Sequence, residues 1–384
     1  MISKKIDERL LGIVQTANVG DDIDCLVYAQ NYAYTKFFLT QKLRCNVTEY
    51  PFIKAFGIKT NLTKIKKIAN VSQVRYVSSI TQVFAQMDIS RKVMDVDEAQ
   101  KWFDGTGVTV AVIDTGIAEN LDFCSFQNRI LHFQDFVAGK TIPYDDNGHG
   151  TFVCGALAGN GFLSGTKFRG VAPNCQLVVC KTLDKNGECD SLKILQAMQW
   201  IYDNRKKYDI KVVCMSFGSN PLQSGDPLML GAEALWDAGI VVVCAGGNSG
   251  PATRTIKSPG VSAKVITVGA LDDGRRSGTV EQSRFCVANF SSRGPAFQFF
   301  KPDCIACGVD VTSVSNSTQS FYSTMSGTSV ATPIVAGACT LLLQKEPNLS
   351  PFAVKKKVIS ACKKISGNRN SEGFGFVDVA KLLF

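Results

Sequence analysis

Only two histidines, His132 and His149, occur among 384 residues. So few imidazoles leave a Cys/His zinc cluster poorly supplied, even though Cys304-Ile-Ala-Cys307 has a CxxC spacing. Long apolar runs are missing as well. No stretch approaches the roughly 18 uninterrupted apolar residues of a membrane span, and the run Leu10 to Val14, behind Asp7 and Glu8, is shorter than the about 7 to 15 of a secretory signal. The expectation is a chain with no membrane partner and no export. Arginine-rich stretches with interleaved aromatics are absent too, so the net charge of +9, from 42 basic and 33 acidic residues, reads as solvated lysine faces without a nucleic-acid partner. What is present excludes disorder: 45% of residues are hydrophobic and 20% charged, in a chain long enough for more than one globular domain.

Fourteen cysteines without an export signal point to a reducing compartment, where they remain thiols. Cys154, Cys180, Cys214, Cys244 and Cys339 lie in apolar patterns and read as small core hydrophobes. Residues 1–88 form a candidate small α+β domain: a strand near Asp24 to Tyr28, a helix from Asn31 to Leu43, extended segments from Cys45 to Lys59, a helix capped by Asn61, and a strand from Val74 to Phe84. That order suits a split βαβ unit. Ala85 to Val96 reads as a connector. From there to residue 384, the Val/Ile-rich runs Val108 to Ile113, Gln176 to Lys181, Val212 to Ser216, Ile240 to Ala245 and Val265 to Val268 alternate with helical stretches. Continuous runs of this kind predict an α/β domain, 89–384, with a mostly parallel sheet flanked by helices. Sites in such sheets form at the carboxyl ends of strands.

Four segments at those places carry candidate chemistry. Asp114 follows the first run and precedes a glycine turn; alone it is equally a turn former. His149, between Gly148 and Gly150, can take up and return a proton near neutral pH, whereas His132 has no such setting and reads as structural. Ser329, in Met325-Ser326-Gly327-Thr328-Ser329, opens an Ala/Val/Leu-rich helix, where unpaired N–H groups suit an oxygen that becomes an oxyanion. Asn248, after Ala245-Gly246-Gly247, presents an amide donor that such an oxyanion could use.

Together these segments resemble the subtilisin-like serine peptidases, the subtilases, over residues 100 to 384. The chain order Asp, His, Ser is the one known for subtilisins. Gly170-Val171-Ala172-Pro173, Ser258-Pro259-Gly260 and Asn289-Phe290-Ser291-Ser292 look familial too. The resemblance implies Ser329 as nucleophile, His149 as base and then acid, Asp114 as its support, and Asn248 as an oxyanion donor. It also implies a substrate-binding strand at Ser216, Phe217 and Gly218, with Ala245, Gly246 and Gly247 lining a pocket for large apolar P1 side chains. Polypeptides are the implied substrates. Residues 1–88 are similar to the subtilase propeptide, an intramolecular inhibitor, implying a zymogen with autocatalytic cleavage between Ala85 and Ser90. No cofactor is implied for the chemistry. Structural calcium is an expectation, with Asp122 as candidate ligand, although the preceding segment is one residue short. Phe152, Cys307 and Ile334 depart from the family pattern without touching reacting atoms. The resemblance extends to leaderless intracellular subtilases, implying cytoplasmic work, with non-classical release left open. The competing reading is a catalytically silent scaffold used for binding or signalling.

Overall fold

Alternating and continuous apolar patterns build two different units, Met1–Phe84 and Ala85–Phe384. The computed structural model describes residues 5, 6, 10, 22–51, 54–79, 87–222, 225–275, 281–317 and 319–384.

In the first unit every second residue of β1 (Ile23–Ala29) is buried, as a half-covered strand requires. There follow α1 (Tyr32–Phe37), continued by a π-helical turn at Phe38–Lys42, then β2 (Val47–Tyr50), β3 (Ala55–Thr60), α2 (Leu62–Ala69) and β4 (Val74–Ser79). The sheet runs β2-β3-β1-β4 with antiparallel neighbours. Asn31 and Asn61 cap the two helices by accepting from Tyr34 N (3.0 Å) and Lys64 N (3.1 Å). Ile65 and Ile68 turn inward onto Phe56, Leu39 and Val77. The last strand is described to Ser79; residues 80–84, like residues 11–14 of the N-terminal apolar run, lie outside the described residues.

The stretch expected as a connector is partly helical. Met87–Val93 forms a helix, and Ser90, Val93, Met94 and Val96 are buried in the second unit. Apolar side chains at this spacing gain more by packing than a linker would by solvation. Of the stretch from Ala85 to Ser90, where cleavage was expected, Ala85 and Gln86 lie outside the described residues.

The Val/Ile-rich runs form the centre of the second unit. In order come β5 (Thr109–Asp114), β6 (Ile130–Asp135), α3 (His149–Ala158), β7 (Gln176–Lys181), α4 (Ser191–Asn204), β8 (Ile210–Met215), α5 (Pro227–Asp237) and β9 (Val241–Ala245). Then follow β10 (Ile266–Asp272), β11 (Cys286–Val287), β12 (Cys304–Cys307), β13 (Val311–Val314), β14 (Tyr322–Met325), α6 (Thr328–Lys345), α7 (Pro351–Ala361), β15 (Cys362–Lys363) and β16 (Phe376–Val377). Among the described residues the main sheet is ten-stranded, in the order β15-β16-β12-β10-β9-β8-β5-β7-β6 with β11 beside β10. Only β11 and β15 pair antiparallel. Every residue of β5 and β9 is buried, as strands covered on both faces must be. α6 packs across β8, β9, β10 and β12, and α3 against α6 and β5. The chain reverses its direction of travel through the sheet between β5 and β8, which opens a crevice at their carboxyl ends.

Candidate active site

β5 ends on a carboxylate. Asp114 is fully buried, and its Oδ1 accepts from Thr115 N (2.8 Å) and from the His149 ring at Nδ1 (2.7 Å). Among the described residues its Oδ2 is buried without a hydrogen-bond partner. A carboxylate can only accept, so Nδ1 carries the hydrogen and Nε2 keeps its lone pair. Burial disfavours the imidazolium, but the charge of Asp114 and its hydrogen bond outweigh that, so His149 holds a proton more strongly than an ordinary histidine.

His149 is the first residue of α3, and Asp145 holds that helix start. Oδ1 of Asp145 accepts from Gly148 N (2.8 Å), Asn147 N (3.1 Å) and Thr115 Oγ1 (2.8 Å), while Oδ2 accepts from Thr151 N (2.8 Å) and Thr151 Oγ1 (2.6 Å). Burial would raise its carboxyl, but these donors hold it below the usual carboxylate range. Gly150 permits the close approach: a Cβ there would sit 2.2 Å from Gly116 O. The glycine beside His149 thus admits the Gly116 backbone. Below Thr115, the buried Lys181 ammonium donates to Thr115 O (2.5 Å), Asp146 Oδ1 (2.6 Å) and Leu183 O (3.1 Å).

Asn248 follows β9, and Ser329 lies in the first turn of α6. Asn248 Oδ1 accepts from Thr328 N (2.9 Å) and Thr328 Oγ1 (3.0 Å). A backbone N–H can only donate, which fixes the amide oxygen on Thr328 and turns Nδ2 the other way. Thr328 Oγ1 in turn accepts from Gly247 N (3.1 Å). A methyl built on Gly327 would lie 2.9 Å from Ser329 Oγ and 3.4 Å from Asn248 Nδ2, so the two groups flank one small space.

His149, Ser329, Asn248, Ser216, Phe217, Gly218, Ala245 and Gly247 line a single cleft of about 480 Å³. Gly246 stands behind it, its N–H donating to Val268 O (2.8 Å) and its carbonyl accepting from Lys257 N (2.9 Å). The Ser329 hydroxyl and the His149 ring share the cleft without a direct hydrogen bond among the described residues. Sequence reasoning missed Asp145, Lys181, Thr328 and Lys257. Asp145 and Thr328 carried a signal, since Asp145 opens the run Asp145-Asp146-Asn147-Gly148-His149 and Thr328 directly precedes Ser329.

The residues that depart from the family pattern, Phe152, Cys307 and Ile334, are all buried away from the cleft. His132 packs against Trp200 (4.9 Å) and Tyr208 (5.2 Å), whose rings also touch each other (5.8 Å), a structural setting. Cys304 and Cys307 are buried in β12, and burial likewise pushes the Cys214 thiol up to about 12.

Asp122 does not fit a calcium ion. Its Oδ1 accepts from Leu163 N (3.0 Å) and its Oδ2 from Tyr322 Oη (2.8 Å). The cation beside it is a guanidinium: buried Arg129 donates to Asp122 O (2.5 Å), Ala158 O (2.7 Å) and Cys175 O (3.3 Å). With both carboxylate oxygens taken by protein donors and a fixed positive group among the carbonyls, no oxygen cage for calcium remains there.

A family model described as the subtilase family matches residues 105–377. The chain is 41% identical over 312 residues to serine protease AprX of Bacillus subtilis (strain 168), covering 75% of this chain and 69% of that protein. It is 33% identical over 279 residues to subtilisin DY of Bacillus licheniformis, covering 72% and 91%. Among solved structures, the S41 psychrophilic protease superposes with a TM-score of 0.64 at 30% identity, covering 72% of this chain and 92% of that one. Sphericase gives 0.62 at 29%, covering 71% and 92%.

Proposed function

This chain belongs to the subtilase family and is a subtilisin-like serine protease, and on that premise we propose that it is an endopeptidase working through Asp114, His149 and Ser329. The supporting observation is the 2.7 Å contact that presents His149 Nε2 to the cleft holding Ser329. Ser329 Oγ attacks the scissile carbonyl carbon while Nε2 takes its proton. Asp114 keeps the imidazole in the required tautomer and faces the positive charge that forms. The oxygen that becomes negative accepts from Asn248 Nδ2 and from the Ser329 N–H at the start of α6. Collapse of this intermediate breaks the C–N bond, the proton passes from His149 to the departing amine, and a water molecule repeats the sequence to free the acyl group. No cofactor enters. Ser216, Phe217 and Gly218 would pair with the substrate backbone, and Ala245 to Gly247 would border a roomy P1 site.

The first unit is proposed as an inhibitory propeptide, removed by the enzyme itself between Ala85 and Ser90. Substrates of such clefts bind extended, so a cut within Met87–Val93 requires that helix to unwind. All fourteen cysteines are free thiols, which supports a working place in the reducing cytoplasm. A fluorophosphonate probe tests the central claim: it should label the processed protein and not Ser329→Ala. An unlabelled processed protein would favour the silent scaffold. A fully active preparation that retains Met1 would contradict the inhibitory role of the first unit.

A further inference from the structure

Lys257 lies outside every motif from which the site was read. Its N–H donates to Gly246 O (2.9 Å), and the next residue, Ser258, exchanges two backbone hydrogen bonds with Ser219 (2.9 and 3.0 Å). The lysine is thereby fixed between the two walls of the P1 site, one beginning at Ser216 and the other at Ala245. Both walls yield a glycine to its stem. A Cβ on Gly218 would meet Lys257 Cβ at 2.6 Å, and one on Gly247, whose φ is +105°, would meet Cγ at 2.4 Å. Lys257 as a whole is half-buried, and its Nζ, at an exposed position, donates to Asn220 Oδ1 (2.6 Å). An ammonium has three donors, so two remain for a ligand. Among the described residues lining the cleft there is no aspartate or glutamate, and Lys257 is the permanently charged one.

We infer that Lys257 sets the charge preference of the P1 site, so that the enzyme favours glutamate over neutral glutamine and rejects lysine and arginine. The inference rests on the reading of residues 216–218 and 245–247 as substrate walls. The methylenes of Lys257 still offer apolar contact to a large uncharged side chain, while the ammonium rewards a carboxylate carried on a similar stem. An attraction of this kind, in a half-open cleft, is worth about tenfold in a rate ratio.

The test compares kcat/KM for peptide anilides that differ only in P1: Glu, Gln, Phe and Lys. Wild type should prefer Glu over Gln, and about 1 M salt should shrink that preference by screening. Lys257→Met should lower the Glu/Gln ratio about tenfold, and Lys257→Glu should turn the preference toward Lys. A Glu/Gln ratio that changes less than twofold in Lys257→Met, or is indifferent to salt in wild type, overturns the inference while Phe and Gln hydrolysis leaves the peptidase reading standing. Failure of every substrate together with failure of fluorophosphonate labelling overturns both. The salt measurement on wild type stands even where a variant does not fold.

Discussion

Thr328→Val removes one oxygen and keeps the side-chain shape. That oxygen donates to Asn248 Oδ1 (3.0 Å) and accepts from Gly247 N (3.1 Å), while the Thr328 N–H still donates to Asn248 Oδ1 (2.9 Å). Asn248 therefore loses one of two restraints on the direction of its amide. Asn248→Ala should lower kcat by about 10²- to 10³-fold, the magnitude already known for losing this donor in subtilisins. Half the restraint, at about 1 kcal/mol for a neutral hydrogen bond, predicts a loss of about five- to tenfold for Thr328→Val, in kcat with KM little changed. Leaving Gly247 N unpaired should also cost about 1–3 kcal/mol of stability. Steady-state kinetics on both single variants and the double variant form the assay. If Thr328 acts through the amide, its substitution should cost little more once Asn248 is alanine. Equal losses in both backgrounds would refute the positioning role.

The remaining predictions concern charge. Because His149 holds its proton strongly, the acid limb of kcat/KM should lie above the ordinary imidazole value of about 6.5, with activity rising as pH rises through it. A limb at or below that value would contradict the support assigned to Asp114. The same raised value stabilises the fold fully below about pH 6.5 and is lost as pH climbs through the folded value, which the pH dependence of Tm can test. Asp145→Asn should destabilise by about 2–3 kcal/mol in denaturant unfolding, because five donors lose their charged acceptor. Since its folded value is depressed, that contribution exists above the unfolded carboxyl value of about 3.9 and fades as pH falls through the folded one. Arg129→Met should cost about 2 kcal/mol or more, one share each for Ala158 O and Cys175 O left unpaired, while Asp122 O keeps Asn160 N (3.0 Å). Calcium that restored its Tm would contradict the account of Asp122.

Much of the architecture was legible because buried parallel strands write themselves as unbroken Val/Ile runs; Gln176–Lys181 was read with the bounds the structure has. The site segments were visible for a related reason. Asp114 and Asn248 follow such runs, and Ser329 opens a helix whose apolar content marks it as buried. What stayed hidden depends on partners distant in the chain. Thr328 was in view, but nothing local says that its hydroxyl meets an amide 80 residues earlier. Asp122 looked like a metal ligand because a carboxylate alone does not reveal that Leu163 and Tyr322 already occupy it. Met87–Val93 passed for a connector because Val93, like Met94 and Val96 after it, finds apolar partners only within the folded core.

The order of strands also bears on synthesis. β5 lies between β7 and β8, and α6, which carries Ser329, spans four strands, of which the last, β12, ends at Cys307. At about 5–20 residues per second, a ribosome takes on the order of ten seconds or more to go from His149 to Ser329. Throughout that interval the nascent polypeptide holds the proposed base without the hydroxyl it would deprotonate. A destructive activity is thus withheld from the translation machinery by the sequence order of its parts.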